Sequence, residues 1–388
     1  MNNSSILICT FALGCLQACA GHSIDLDQGA SSAPDGTDLV GVEVTQVPES
    51  VFELAADDAR VYWTTGEEVP YEGGGYIGFE VAQSCVFDHC KATSVNYGDM
   101  EPPLTIGDQD VFFTPIDPAA PGRFLDPVVG CPKAGCGAAP NEISEDAPLY
   151  PESAAADDQY FYWSSAFDIY RCPLTGCGEV PEVVAKNEAT SGGLLVDGDT
   201  VFWTFSVDAS DPNGETQIHS APKDGSRPPT LIARGVALSQ YVALSTNRVP
   251  FTVDATTVYW LDGSAHVQSC PRTGCDVQAP VTLVATDGAK QSLRVDATGL
   301  YWLETADLIG DWFSNAQGAA VDHVSIRFCP LTGCATDADV RVLTPDQVGQ
   351  FAMSSKYLYW DEPGMLLENG TYANGDDNKR IYRLAKPE

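Results

Sequence analysis

An all-β fold is predicted by three features of the sequence. An aromatic triplet recurs seven times, at intervals of 40 to 58 residues between successive third positions. Each triplet lies between short runs rich in β-branched and aromatic residues that are separated by Asp- and Gly-containing turns, which is typical of β-strands. Convincing amphipathic helical stretches are absent. The triplets, which define repeats 1 to 7, are Val61–Trp63, Val111–Phe113, Phe161–Trp163, Val201–Trp203, Val258–Trp260, Leu300–Trp302 and Leu358–Trp360.

Each repeat is predicted to contain four strands. In GLLVDGDTVFW (Gly193–Trp203) a strand, a tight turn and a second strand follow one another, and SIRFCP (Ser325–Pro330) and PTLIA (Pro229–Ala233) are typical third and fourth strands. A unit of about 50 residues with four strands cannot bury both of its faces alone, so radial stacking into a β-propeller is favoured. An acidic residue before most triplets is interpreted as a turn former: Asp58, Asp108, Asp158, Asp197, Asp254 and Asp296.

The fourth repeat resembles blades of a known kind. Its sequence, VDGDTVFWTF…QIHSAPKDGSRPPTLIA (Val196–Ala233), is similar to the YWTD and TolB-like β-propeller families. The resemblance implies the fold and little about function, and it differs in number, because YWTD receptors have six blades. The last repeat stops after its third strand (Ile381–Glu388), and Val40–Val47 can supply the fourth. Residues 39–388 are therefore predicted to form a seven-bladed propeller of four-stranded antiparallel blades, closed by an N-terminal strand that completes the last blade.

Composition narrows the classes of partner. The 388 residues are 44% hydrophobic and 10% aromatic, which is globular and not disordered composition. The formal net charge of −34 argues against nucleic acid as a partner, since phosphate binding needs clustered Lys and Arg. The acidity suits a cationic or neutral partner. A heavily solvated extracytoplasmic surface explains the same charge, and it is the favoured interpretation.

The N-terminal segment predicts export and lipid anchoring. An apolar run (Ile6–Leu16) is too short to span a bilayer and ends in LQAC, which resembles the lipobox of bacterial lipoproteins. That resemblance implies a signal peptide over residues 1–18 and a lipid on Cys19, although Gly14-Cys15 offers a poorer second cleavage site. Residues 19–38 are predicted to be a flexible tether. The protein is expected in the cell envelope, at the outer membrane, with membrane contact through the lipid alone.

Ten of the thirteen cysteines form five C-x4-C pairs between third and fourth strands. Structural zinc usually needs four ligands gathered around one ion, whereas these pairs lie one repeat apart, and a redox C-x-x-C is excluded by the spacing. A disulfide across each turn is predicted. The fourth repeat supports this, because Ala221 and Ser226 replace both cysteines of the pair. The pairs are Cys85–Cys90, Cys131–Cys136, Cys172–Cys177, Cys270–Cys275 and Cys329–Cys334.

Propeller geometry predicts where a ligand binds. The turns that contain the predicted disulfides, here called stapled turns, lie on one face of the propeller. The longest insertions lie on the opposite face, in the connections between second and third strands and between repeats. Their acids and aromatics are the predicted ligand-binding residues, and Trp312 either contacts a ligand or packs its own loop. These residues are Glu67, Glu68, Asp117, Arg123, Asp126, Asp208, Asp211, Asp307, Asp311, Trp312, Asp361 and Glu362.

No metal or catalytic motif is found. Calcium ligands could come from Asp211, Asn213 and Glu215 or from Asp376–Asn378, but neither group fits the EF-hand pattern, and solvated loop acids are favoured. His219 and His266 are expected to be structural. The sequence therefore predicts no cofactor and a non-enzymatic, monomeric recognition or scaffold protein that binds an envelope protein or glycan. The alternative is a propeller enzyme, a lyase or a glycan-active enzyme, with its site at the mouth of the channel.

Overall fold

The computed structural model describes most of the chain after residue 40. The described residues are 41–47, 51–71, 75–116, 127–137, 140–144, 153–165, 167–178, 180–186, 188, 190–206, 215–236, 251–275, 279–286, 288–305, 324–344, 348–362 and 379–387. The predicted signal peptide (1–18), the lipidation site Cys19 and the predicted tether (19–38) lie outside them and remain predictions.

The strands are numbered in chain order. Repeats 1 and 2 contain β2 Val51–Ala56, β3 Arg60–Tyr71, β4 Gly75–Val86, β5 Val95–Ile106, β6 Asp110–Pro115, β7 Val128–Pro132 and β8 Asn141–Ser144, and β1 Val42–Val47 precedes them. Repeats 3 and 4 contain β9 Ser153–Ala156, β10 Tyr160–Ser164, β11 Ile169–Pro173, β12 Glu182–Ala185, β13 Thr190–Asp197, β14 Thr200–Ser206, β15 Thr216–Pro222 and β16 Thr230–Arg234. Repeats 5 to 7 contain β17 Phe251–Val253, β18 Thr257–Leu261, β19 Val267–Pro271, β20 Val281–Val284, β21 Ala289–Val295, β22 Gly299–Thr305, β23 Val324–Pro330, β24 Arg341–Val342, β25 Phe351–Met353, β26 Tyr357–Glu362 and β27 Lys379–Ala385. A short helix, α1 (Cys90–Thr93), and a 3₁₀ turn (Asp337–Asp339) complete the described elements.

The all-β propeller is confirmed, but the prediction of seven separate four-stranded blades is wrong. The described strands form five separate four-stranded sheets, and repeats 1 and 2 form one seven-stranded sheet, β2 to β8. The two repeats merge because β5 continues from one into the other. Met100 in β5 pairs with Glu80 on one side and with Pro115 on the other, so no break separates the fourth strand of repeat 1 from the first strand of repeat 2.

The predicted closure by the N-terminal strand is confirmed. In repeat 7 the sheet order is β1-β27-β26-β25, so β1 supplies the outer strand that the C-terminal segment lacks. Val42 pairs with Arg383 and Val47 with Lys379. First strands of neighbouring repeats contact one another, as β9 does with β13 and β13 with β17, which places the first strands around the axis and the fourth strands at the rim. Closure covers two sheet edges that would otherwise be exposed.

The aromatic triplet recurs because the second strand of each repeat is buried on both faces. Val61 and Trp63 pack with Tyr359 of repeat 7, whereas Tyr62 between them packs with Leu104 of repeat 2. Side chains alternate along a strand, so a strand enclosed by two neighbours must be apolar at every position. Burial of one such ring contributes on the order of 3 kcal/mol. The six triplet Trp residues are at most 5% exposed.

The turn between first and second strands is held by a carboxylate, but not always the one that the sequence indicated. In repeat 1 it is Asp57 and not Asp58: its Oδ1 accepts the backbone N–H groups of Ala59 and Arg60, both at 2.7 Å. Its Oδ2 accepts the hydroxyl of Tyr62 at 2.7 Å. In repeat 3 the position is occupied by Asp157 and not Asp158, and in repeats 5 and 6 by Asp254 and Asp296; in repeat 2 it is Gly107 and not Asp108.

These turn carboxylates also join neighbouring repeats. Lys133, which follows the Cys-Pro pair of repeat 2, donates to Asp57 of repeat 1 at 2.7 Å. The same contact joins Lys223 to Asp157 at 3.0 Å and Lys386 to Asp296 at 2.6 Å, and Arg272 binds Asp197. Where the turn lacks the acid, as at Gly107 and Ser354, the next repeat carries an apolar Leu174 or Phe87 in place of the base.

All five predicted disulfides are present. The stapled turns do more than close on themselves, because three of them hydrogen-bond to the outer strand of the preceding repeat. The backbone N–H groups of Cys177, Cys275 and Cys334 donate to the carbonyls of Ile143, Ile232 and Leu283 at 3.0, 2.9 and 2.8 Å. The C-P-x-x-G-C motif therefore attaches one repeat to the next at the rim.

The glycine at the matching position of the turn in repeat 4, which lacks the disulfide, is expected to be required by close packing against the preceding repeat. Gly225 has φ +66°, and a Cβ there would lie 3.1 Å from the carbonyl oxygen of Val183 in the preceding repeat. Gly235 has φ +69° but open space around it, so it is a matched control. We expect Gly235→Ala to cost about 1 kcal/mol for the left-handed conformation, and Gly225→Ala to cost about 2–3 kcal/mol. Urea denaturation measures both, and equal losses would mean that the contact between repeats is unimportant.

Candidate functional site

The two faces of the propeller carry different connections. The staple face carries the turns between strands one and two and between strands three and four, which meet within a repeat: Lys223 N donates to Asp199 O at 3.0 Å. The loop face carries the connections between strands two and three and between repeats. The connection in repeat 3 is short, and Ser165 N closes it by donating to Asp168 O at 3.0 Å. The loop face is the candidate site, since it holds the long connections.

Most predicted ligand-binding residues fall in loops that lie outside the described residues. Glu67 and Glu68 are described as part of β3, with Glu67 paired to Phe79 and Glu68 to Gly78. Asp361 and Glu362 end β26 and are the two predicted residues whose side chains are described. The residues outside the description remain predictions: Asp117, Arg123, Asp126, Asp208, Asp211, Asp307, Asp311 and Trp312.

Asp361 and Glu362 differ in their surroundings. Asp361 is 2% exposed, and its carboxylate accepts the backbone N–H of Gln350. A Cβ on Gly349 would lie 2.7 Å from that carboxylate, so the glycine makes room for it. Glu362 is partly exposed and hydrogen-bonds with Tyr382, a bond that adds to the effect of burial in raising the pKa of the tyrosine. Asp361 thus joins strands, whereas Glu362 is available at the loop face.

A histidine with a carboxylate partner lies between repeats 3 and 4. His219 in β15 contacts Glu188, which lies in the connection between the repeats, with Nδ1 2.7 Å from Oε2. Its Nε2 is 3.0 Å from Oε1 of Gln217, and its ring stacks on Phe205 at 4.6 Å. The buried Trp203 also donates to Glu188, at 3.2 Å. Both ring nitrogens and one carboxylate oxygen are thus engaged within the protein.

This network reaches the loop face through Glu215. Gln217 donates to Oε1 of Glu215 at 3.0 Å, and Arg234 donates to the same oxygen at 2.9 Å. The hydrogen bonds from Arg234 and Gln217 lower the pKa of Glu215, so the carboxylate is charged at neutral pH. Glu215, which was weighed above as a possible calcium ligand, is therefore paired with Arg234 in the structure.

A second cluster, beneath the loop face in repeat 1, contains the carboxyl groups of Glu53 and Glu80. Glu53 in β2 is 1% exposed, and its Oε2 accepts the backbone N–H of Leu104 at 2.8 Å. Thr64 connects it to Glu80 in β4: Glu53 N donates to the threonine hydroxyl at 3.1 Å, and that hydroxyl donates to Glu80 at 2.5 Å. Burial, with the charge of Glu53, raises the pKa of Glu80 to about 7. Glu80 therefore exchanges its proton near neutral pH.

A third cluster, in repeat 6, is an ion-pair network. The ammonium of Lys290 in β21 is fully buried and lies 3.6 Å from Glu304, directly across the strand pair. It donates to the carbonyl of Thr286 at 2.7 Å. Glu304 also accepts the indole N–H of Trp302 at 2.9 Å and lies 3.4 Å from Arg327. The charges compensate one another, so this cluster has the character of a structural network.

One element projects beyond the blades of the loop face. Strands β3 and β4 continue pairing past the sheet of repeat 1, from Glu67↔Phe79 to Tyr71↔Gly75. We call residues 67–71 and 75–79 the hairpin ribbon. Five residue pairs at about 3.4 Å each make it roughly 15 Å long. Within the described part of the chain, no other pairing of second and third strands is as long.

Two kinds of feature are absent from the described residues. They contain no group of three or more His, Cys, Asp or Glu side chains that could hold a metal ion. They contain no helix long and apolar enough to cross a membrane.

The contacts of the His219 and Glu53 clusters were not predicted from the sequence. Glu53 carries a recognisable signal, because it is a charged residue within the apolar strand VFELAA. The sequence identifies His219 as a third-strand residue but not its partner Glu188, because the contact depends on how the strands of repeat 4 pair. Glu80 had no signal that distinguished it from other loop acids, since its pKa depends on burial.

Comparisons with known proteins support the fold. No protein-family model matches the chain, and no curated protein sequence matches it. Among solved structures, the β-propeller domain of the trilobed protease from Pyrococcus furiosus is similar with a TM-score of 0.52 at 7% identity, covering 80% of this chain and 90% of that domain. BamB from Moraxella catarrhalis gives 0.41 at 11%, covering 88% and 97% of the two chains, and the tricorn protease gives 0.46 at 10%, covering 86% and 42%. The similarity to the first of these, at 7% identity, concerns the fold alone and agrees with the β-propeller described above.

Proposed function

We propose that this chain is a lipid-anchored cell-envelope protein that acts as a recognition or scaffold protein and binds an envelope protein or glycan on its loop face. The observation that carries the proposal is the difference between the two faces. The staple face is joined between repeats by ion pairs and, at several turns, by backbone hydrogen bonds, as between Cys177 and Ile143. The loop face holds the hairpin ribbon and the connections that are longest in the sequence, and binding residues are often found on such loops.

The envelope location rests on the N-terminal segment. The apolar run Ile6–Leu16 followed by LQAC supports lipidation at Cys19. The five disulfides favour an oxidising compartment. The proposed protein acts as a monomer with its loop face accessible, and neither a nucleic acid nor a cofactor takes part.

Site-specific photo-crosslinking tests the binding face. A photoreactive amino acid replaces Phe167, which is 64% exposed on the loop face, or Asp199, whose side chain is 99% exposed on the staple face. In cells that make the full chain, we expect defined crosslinked products from position 167 and none from position 199. The reason is that only the loop face is proposed to contact a ligand.

The controls separate binding from location. The Cys19→Ser chain lacks the proposed lipidation site, so it should be released from membranes and lose crosslinks to membrane-bound partners. Equal crosslinking from positions 167 and 199, or crosslinks from position 199 alone, would contradict the proposed binding face.

The pair of His219 and Glu188 favours a second candidate function, a propeller lyase or glycan-active enzyme. A histidine held by a carboxylate at 2.7 Å can exchange a proton with a substrate. It is the weaker candidate because Nε2 is engaged by Gln217, which a substrate would have to displace. Conversion of the captured ligand by the unmodified chain, but not by His219→Asn, would favour the enzyme over the scaffold.

A further inference from the structure

The hairpin ribbon has two edges that no described strand covers. Pairing of β2 with β3 ends at Val51↔Thr65, and pairing of β5 with β4 ends at Glu80↔Met100. Beyond these pairs, β3 and β4 pair only with each other in the described structure. An uncovered strand edge presents backbone N–H and C=O groups that can pair with another strand. A two-stranded ribbon in water is marginally stable without such a partner.

The two edges are not equivalent. The β3 edge contains Pro70, which lacks a backbone N–H and so blunts that edge against pairing. The β4 edge, Gly75–Phe79, contains no proline. Strand β5 pairs with β4 only as far as Glu80. A strand added along Gly75–Phe79 would therefore lie beyond the end of that pairing and extend the sheet of repeat 1 outward. The β4 edge is therefore the one open to a further strand.

The register divides the residues of the ribbon between two faces. Because alternate residues share a face, Val69, Tyr71, Ile77 and Phe79 fall on one face together with Glu67. That face is mostly apolar, although the ribbon stands beyond the blades. Glu68 falls on the other face, so each face contains one acidic residue of β3. By register and sequence, therefore, one face of the ribbon is mostly apolar, and its β3 strand carries two acidic residues.

We propose that the β4 edge of the hairpin ribbon binds an extended segment of an envelope protein by strand addition, and that this segment alternates apolar residues with Lys or Arg. This inference rests on the proposed recognition function and specifies its partner. Backbone hydrogen bonds supply affinity, and alternate side chains supply specificity. The net charge of −34 attracts a basic segment. The same charge opposes pairing of two copies of this chain along their β4 edges.

Defined peptides test the inference on the full chain. The probe is a nine-residue peptide that alternates Lys and Val, and the two control peptides carry Pro at alternate Val positions or Glu in place of Lys. We expect the Lys-Val peptide to bind at least about tenfold more tightly than either control, which corresponds to about 1.4 kcal/mol. Amide exchange of residues 75–79 should slow when it binds, because their N–H groups become hydrogen-bonded.

Two variants locate the binding. In the first, residues 65–81 are replaced by SAFD, the short connection of repeat 3 (165–168), and peptide affinity should fall at least about tenfold. If that chain does not form its disulfides, Val69→Asn combined with Ile77→Asn keeps the ribbon and removes its paired apolar residues, with the same direction of effect. Asp199→Asn, exposed on the staple face and outside the proposed binding face, should leave affinity unchanged.

Each other outcome overturns the inference. Equal affinity for the Pro peptide would mean charge attraction without strand pairing, and binding retained after ribbon replacement would place the peptide elsewhere. A concentration-dependent dimer that is lost with the ribbon would identify a second copy as the occupant. Absence of peptide binding combined with crosslinks from position 167 would reject strand addition while leaving the proposed recognition function intact.

Discussion

Replacing Glu80 with glutamine is expected to stabilise the protein above neutral pH and to flatten its pH dependence. Burial and the charge of Glu53 raise the pKa of Glu80 from 4.5 to about 7. The folded chain therefore binds a proton between these values that the unfolded chain does not, so the free energy of unfolding falls as pH rises through this window. The full cost of ionisation is present above the folded pKa and amounts to up to about 3 kcal/mol, since one pKa unit corresponds to roughly 1.4 kcal/mol.

The measurement is urea denaturation at about pH 5 and about pH 8, where the two protonation states of Glu80 dominate. Glu80→Gln should match the unmodified chain at the lower pH and exceed it at the higher pH, because glutamine can still accept the Thr64 hydroxyl. Glu142→Gln, an exposed position in β8, is the control and should change neither value. An unchanged pH slope in Glu80→Gln would place the titrating group elsewhere.

Replacing Lys290 with methionine is expected to destabilise the fold by about 3–5 kcal/mol, the usual cost of removing one partner from a buried ion pair. The methionine keeps an apolar stem but leaves Glu304 and the carbonyl of Thr286 without the ammonium. Glu304 retains Trp302 and Arg327, so the loss should lie in the lower part of that range.

Urea midpoints report the loss, with Lys356→Met as the matched control. Lys356 is exposed in a turn of the staple face, and its replacement should change stability by less than about 0.5 kcal/mol. A loss below about 1 kcal/mol in Lys290→Met would mean that water replaces the ammonium, and the cluster would then be part of a solvated site.

Comparison of sequence and structure shows which interactions follow a local pattern. The triplets, the closing strand β1 and the five disulfides were predicted, because each follows from alternation along a strand or from the spacing of a turn. The separation of repeats 1 and 2 was predicted wrongly. Met100 belongs to a fourth strand by its pairing with Glu80 and to a first strand by its pairing with Pro115, and spacing alone does not distinguish these roles.

The sequence predicts the loop face as the binding face, which remains a prediction, and it does not predict the contacts among the described residues. Asp361 is predicted to bind a ligand because it is an acidic residue in a loop-face segment. In the structure it is buried, and its carboxylate accepts the backbone N–H of Gln350. His219 and Glu188 are 31 residues apart, and they meet because β13, which begins just after Glu188, lies in the same sheet as β15. No period in the sequence encodes that contact. The sequence does not distinguish Glu80 from other acidic residues near long loops, because its raised pKa is caused by burial in the folded protein.

The sequence by itself determined the all-β class, the repeat, the disulfides and the face on which long connections emerge. These features depend on the alternation of side chains along strands and on turn residues, and both recur in every repeat. Only the tertiary structure decided which charges meet, as for Lys133 with Asp57, and which repeats share a sheet, as repeats 1 and 2 do through β5. Those features depend on distances between segments far apart in the chain, and such distances are set by packing between repeats.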